Sequence, residues 1–156
     1  MEKPKLKIDP ATALQKAQSF CSYRERCQQE VRNKLYEWGL FPKEVEQIIS
    51  QLISDNFLNE ERFAKAFASG KYRIKGWGRI KIRMMLKQLG LNDYCIKKGF
   101  AEIDEDEYEE ILKKIIDKKA KSVKEKNDFK RKNKIAAYAI GKGFESELVW
   151  GVVKEY

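Results

Sequence analysis

From about Ala11 to Tyr156 the apolar residues recur at intervals of three and four. Leu14, Ala17 and Cys21 form one series, Val31, Leu35 and Trp38 a second, and Val45, Ile48, Ile49, Leu52 and Ile53 a third. Such spacing lines one face of an α-helix, and no stretch alternates with the period of two that a strand needs. The pattern predicts an all-α fold with short connectors. Of the three prolines, Pro4 and Pro10 lie near the N-terminus. Pro42 stands where a helix would start, a position that tolerates a missing N–H.

The pattern also repeats. Gly39-Leu40, Gly90-Leu91 and Gly143-Phe144 each follow a helical stretch, at separations of 51 and 53 residues. Eight residues before each glycine stand Val31, Ile82 and Ile135, and four before stand Leu35, Leu86 and Ala139. Six after stand Val45, Ile96 and Val149, ten after stand Ile49, Phe100 and Val153, and thirteen after stand Leu52, Ile103 and Tyr156. Each unit reads as a helix stopped by a glycine that accepts the left-handed conformation, then a turn and a second amphipathic helix. A further helix precedes each pair, at about 12–22, 60–73 and 105–124. The chain therefore divides into a flexible basic tail, 1–10, and three three-helix repeats, 11–58, 59–103 and 104–156. Each unit is too small to hold a core alone, so stacking is expected to give a continuous core and an elongated, curved body.

Composition narrows the chemistry. No histidine occurs, which removes Ser-His-Asp and Cys-His nucleophiles and imidazole-dependent zinc sites. Cys21, Cys27 and Cys95 are odd in number and include no CxxC, so they read as thiols in a reducing cytosol. The N-terminal MEKPKLKIDP is not an apolar leader, and no apolar run approaches the ~18 residues of a membrane span. A soluble, cytoplasmic chain is expected.

The net charge of +9 favours an anionic partner. It is concentrated: residues 56–102 carry +7, while 1–55 and 103–156 carry +1 each. Within KYRIKGWGRIKIRMMLKQLG, a helix from about Arg79 to Leu89 would hold Ile82, Met85, Leu86 and Leu89 on one face. Arg79, Arg83 and Lys87 would form a cationic stripe on another, with Lys75 and Lys81 beside it. No acid lies between Glu61 and Asp93, so pairs one turn apart cannot neutralise the stripe. Gly76-Trp77-Gly78 reads as a flexible entry that lets a backbone or a partner approach closely. Arg24, Arg26, Arg32 and Lys34 in the first unit, and Lys130, Arg131, Lys132 and Lys134 in the third, complete a candidate surface for phosphate or an acidic protein. Truncating Arg79 and Arg83 together is expected to weaken binding and leave stability nearly unchanged.

The acidic run Asp104–Glu110 lacks the glycine of a calcium loop, since Glu109 holds that place. It reads instead as the start of a helix whose other end carries Lys113, Lys114, Lys118, Lys119 and Lys121, complementing the helix dipole. No Walker motif and no GxSxG occurs. No enzyme, metal or cofactor is expected. The remaining enzymatic reading is a metal-dependent nuclease built on residues 104–110, which metal-dependent DNA cleavage would reveal.

Asn56-Phe57-Leu58-Asn59-Glu60-Glu61-Arg62-Phe63-Ala64, then Lys75 through Arg83, then Leu86 and Gly90-Leu91, resemble the RecX family of bacterial RecA regulators. The family pattern there is a DERFA-like helix, a KGxGxxRI-like segment and an LxxKG turn. Tyr23-Arg24-Glu25-Arg26, Glu30 and Leu35 through Gly39-Leu40 fit the first unit, and the resemblance spans about 12–156. It implies a monomeric, non-enzymatic inhibitor in the groove of the RecA filament on single-stranded DNA, suppressing ATP hydrolysis and strand exchange during recombination and SOS repair. It also implies direct contact with single-stranded DNA, and by extension duplex DNA, through Lys75, Arg79, Lys81, Arg83 and Lys87. Departures are Cys27 for a frequent Ser, Asn59 for an acid, and Ala136 at the register of Arg32 and Arg83.

The alternative is a free-standing DNA-binding module of helix-turn-helix type, needing no recombinase. Against it, the basic helix offers few Asn, Gln, Ser or Thr side chains for base edges.

Overall fold

A computed structural model describes residues 7–156. Among the described residues nine α-helices form: α1 Pro10–Tyr23, α2 Gln28–Glu37, α3 Pro42–Ser54, α4 Glu60–Gly70, α5 Arg79–Gln88, α6 Asp93–Ala101, α7 Glu105–Ser122, α8 Asp128–Gly141 and α9 Ser146–Val153. They pack as α1–α3, α4–α6 and α7–α9.

Short polar side chains start many of them. Asp9, Asn59, Asn92, Asp104 and Asn127 each accept a hydrogen bond from the backbone N–H three residues on, filling a donor left free by the first helical turn. Asn59 thus fills the cap position with its side-chain oxygen. Pro42 is the first residue of α3. Of the expected tail 1–10, residues 1–6 lie outside the described residues. Beyond them, the Ile8 N–H donates to the Trp38 carbonyl at 3.2 Å, and Asp9 and Pro10 already begin α1.

The three glycine turns are one motif used three times. Gly39, Gly90 and Gly143 all have positive φ. The residues after them, Leu40, Leu91 and Phe144, are buried and donate to Leu35, Leu86 and Ala139, the bond that closes a Schellman turn. Val31, Ile82, Ile135, Val45, Ile96 and Val149 are fully buried, as the aligned offsets predict. Tyr156 departs from its register: it is exposed and its hydroxyl donates to Asp117 at 3.3 Å.

Two expectations change. First, α4 ends at Gly70, earlier than 73, and runs into a π-helical turn, Lys71–Lys75, closed by Gly76 at φ 66°. Second, the core is not continuous. Unit 1 holds its own cluster around Val31, Leu35, Val45, Leu52 and Leu58. Units 2 and 3 share another, from Phe63 and Ile82 to Leu112, Ile135 and Phe144. Cys27 is the exception that links them, a residue of unit 1 buried in the unit 2 cluster. Burial pushes its thiol pKa up to about 11, so it is an apolar peg and not a nucleophile.

Candidate functional site

Two kinds of junction fix where the predicted cations stand. Between units 1 and 2 polar side chains make contacts beside the Cys27 peg. Glu60 accepts from the Gln28 N–H at 3.0 Å. Arg62 donates to Glu25 at 2.6 Å and to the carbonyls of Asn56 and Phe57. It thereby clamps the connector, where Asn56 takes positive φ. Between units 2 and 3, beyond the shared apolar cluster, the backbones themselves touch. The Gly78 N–H donates to the Lys142 carbonyl and the Ile80 N–H to the Gly143 carbonyl, both at 2.9 Å. A Cβ on Gly78 would lie 2.2 Å from the Gly143 backbone. The expectation for Gly76-Trp77-Gly78 is corrected only as to flexibility. The close approach exists, but the chain's own third unit makes it, so the segment is locked.

Arg79 sits on this junction. Its guanidinium donates to Glu105 at 2.5 Å and pairs with Glu145 at 2.7 Å, and it lies 4.1 Å from the centre of the Tyr108 ring. Its side chain is only 20% exposed. Burial alone would lower its pKa, but the two carboxylates more than offset this and hold the charge. The Tyr108 hydroxyl donates to Glu145 and accepts from the Arg79 N–H. Burial, then the Glu145 acceptor, raise the phenol's pKa. Arg79 thus has its charge spent inside the molecule.

Several other predicted cations are likewise engaged. Arg26 is buried, donates to the Phe20 carbonyl and stacks on the Phe20 ring at 3.6 Å. Arg24 pairs with Glu30, Arg32 forks onto Glu46, and Lys34 lies 3.6 Å from Glu37. Lys87 pairs with Asp93, Lys132 with Asp128 and Lys134 with Glu125, while Arg131 donates to the Ala120 carbonyl. Within the stripe, Arg79 is neutralised by Glu105 and Glu145, which arrive from unit 3, and Lys87 by Asp93, while Arg83 keeps its charge free. Part of the acidic run Asp104–Glu110 serves this purpose, with Glu107 pairing Arg73.

Six predicted cations have no carboxylate within ion-pair distance among the described residues; Arg26 and Arg131 are held by backbone carbonyls, and Lys75, Lys81, Arg83 and Lys130 remain. Lys81 lies 4.3 Å and Lys71 4.9 Å from the centre of the half-buried Trp77 ring. Arg83 is exposed, 5.2 Å from the Phe100 ring centre. At the same register in unit 3, Ala136 is buried and supplies no charge.

One cationic feature falls outside the predicted set. The π turn, α7 and α8 enclose a groove of about 520 Å³ whose lining includes Lys75, Lys114, Lys118, Lys119 and Lys142. The sequence reading assigns the α7 lysines to the helix dipole. Their (i, i+4) spacing at 114 and 118 was the available signal for a shared face.

The chain matches three family models in succession: the first three-helix domain of RecX over residues 13–52, the second over 59–99 and the third over 105–153. It is 30% identical over 130 residues to the regulatory protein RecX of Haemophilus influenzae (strain PittGG), covering 83% of this chain and 84% of that protein. It is 28% identical over 141 residues to the RecX of Prosthecochloris aestuarii, covering 90% and 91%. The fold matches the crystal structure of RecX from Lactobacillus salivarius with a TM-score of 0.83 at 20% identity, over 94% of this chain and 95% of that one. Among the described residues no helix is long and apolar enough to cross a membrane. With its three tandem three-helix units and these relatives, the chain belongs to the RecX family of regulatory proteins.

Proposed function

We propose that this protein regulates the RecA recombinase by binding the RecA filament on single-stranded DNA, and that it slows ATP hydrolysis and strand exchange. It acts as a cytoplasmic monomer and performs no catalysis of its own. The observation that carries the reading is the combination of the RecX three-unit architecture with Lys75, Lys81 and Arg83 left unpaired on its middle unit. Those three side chains, with Lys130, are the contacts we assign to the filament and its DNA. Lys87 sits at their edge and can exchange Asp93 for a phosphate. Arg24, Arg32, Lys34, Lys132 and Lys134 contribute only by exchanging surface ion pairs, which hold little energy in water. Arg26, Arg79 and Arg131 hold the frame that presents them.

The mechanism is mechanical. A rigid helical body that contacts several filament subunits at once resists the relative motions that each cycle of hydrolysis needs. Unpaired cations supply the attraction without base reading, so binding falls steeply with salt.

The test is titration of RecA filaments on single-stranded DNA at two salt concentrations, with ATPase rate and binding read together. Tight binding with falling ATPase is expected. Lys81→Ala with Arg83→Ala should weaken binding by about 1–3 kcal/mol. Equal affinity for bare DNA with no ATPase effect would replace this reading with the free-standing DNA-binding module.

A further inference from the structure

The groove between units 2 and 3 has a composition that packing does not explain. Lys75, Lys114, Lys118, Lys119 and Lys142 line it together with Arg73, and no carboxylate does. Arg73 is paired with Glu107 at one end. Lys114 and Lys118 are exposed and have no ion-pair partner among the described residues. The Lys142 ammonium donates to the Lys75 carbonyl at 3.1 Å, which ties α8 to the π turn. The remaining acid of this part of α7, Asp117, is drawn elsewhere, to Lys121 and Tyr156. Five like charges around one groove repel each other, and a bound anion would relieve them.

The lining also has an apolar side. Ile74, Ile111 and Ile115 contribute to it, and Tyr138 stands beside Lys119, whose ammonium lies 4.6 Å from the ring centre. A groove of about 520 Å³ has the size of a small-molecule site. A nucleic-acid strand brings one charge per nucleotide, whereas a triphosphate concentrates about four on one small molecule. The density of amines favours the second.

We propose that this groove binds a nucleoside triphosphate, with the phosphate chain held by Lys114, Lys118 and Lys142 and the base or sugar against the isoleucines and Tyr138. The three lysines that hold the phosphates lie outside the surface assigned to the filament, and the two sites share only Lys75. The backbone contact between Gly78 and Gly143 fixes units 2 and 3, so the walls of the groove are preset and little ordering is needed on binding.

Isothermal titration at low salt tests the site with three probes: ATP, inorganic tripolyphosphate and AMP. ATP and tripolyphosphate should bind the wild-type protein, and AMP at least about tenfold more weakly. Lys114→Gln with Lys118→Gln should reduce ATP affinity at least about tenfold with an unchanged melting temperature. Lys97→Gln with Lys98→Gln, the same charge change on α6, should alter it less than about twofold. Absence of ATP and tripolyphosphate binding overturns the proposal. So does an equal loss in both double variants, which would mean attraction to net charge alone. An oligodeoxythymidylate that binds through Lys114 and Lys118 without ATP competing would assign the groove to a strand instead. No arm contains recombinase, so the result is separate from that of the filament titration.

Discussion

Arg79 and Glu145 stand 66 residues apart in the chain and form a two-point ion pair, Nε at 3.0 Å and a terminal guanidinium nitrogen at 2.7 Å. One residue begins α5 of unit 2, and the other immediately precedes α9 of unit 3. The pair makes the two units one body and separates Arg79 from the cations it resembles in the sequence.

Arg79→Ala is therefore expected to destabilise the fold by about 2–4 kcal/mol, because it leaves the half-buried Glu145 carboxylate without its cation. Arg83→Ala should change stability by less than about 0.5 kcal/mol. Urea unfolding of the two single variants checks this. Equal, small effects would put Arg79 back on the surface.

Gly78→Ala should cost about 3 kcal/mol or more, since its Cβ would meet Gly143 backbone that cannot retreat. Gly70→Ala is the contrast. Nothing lies within 4 Å of its Cβ and its φ is −66°, so alanine should be neutral or stabilise by up to about 1 kcal/mol. Thermal melts of the two variants would show opposite shifts.

Acid should weaken the unit 1 end of the molecule. Burial would raise the pKa of Glu30, but the Arg24 guanidinium and the Cys27 N–H outweigh it and hold the carboxyl below its ordinary 4.5. A folded pKa below the unfolded one gives stability that is full above about pH 4.5 and lost as pH falls through the folded value. Glu30→Gln should thus melt a few degrees lower than wild type at pH 6, by about 1 kcal/mol, and the two curves should converge toward pH 3. Parallel curves across that range would disprove the assignment.

The separate cores predict two levels of protection in native-state hydrogen exchange. Amides of α4–α9 should exchange only on global unfolding, while those of α1–α3 open at lower denaturant. A single common free energy for Leu35 and Leu112 would show that the polar contacts at Arg62 and Glu60 couple the units fully.

The repeat was legible in the sequence because it rests on local rules. Gly39, Gly90 and Gly143 each close a helix in the same way, and Leu35 and Leu86 fall on the inner face by spacing alone. The charge surface was legible only in part. Periodicity places Arg79 and Arg83 on one stripe but says nothing about what unit 3 brings against it. Glu105, Glu145 and the Gly143 carbonyl act from far along the chain, and no spacing within α5 announces them. The π turn was illegible for a related reason. KYRIK continues a helical pattern, and it is Gly76, at φ 66°, that sets where the turn ends.

The backbone bonds from Gly78 and Ile80 to Lys142 and Gly143 act as a ruler. They set the distance and angle between the second and third units with atoms that every amino acid shares, so most surface charges can be exchanged without changing the pitch of the body. The two glycines that allow the approach are the part of this gauge that a side chain would break.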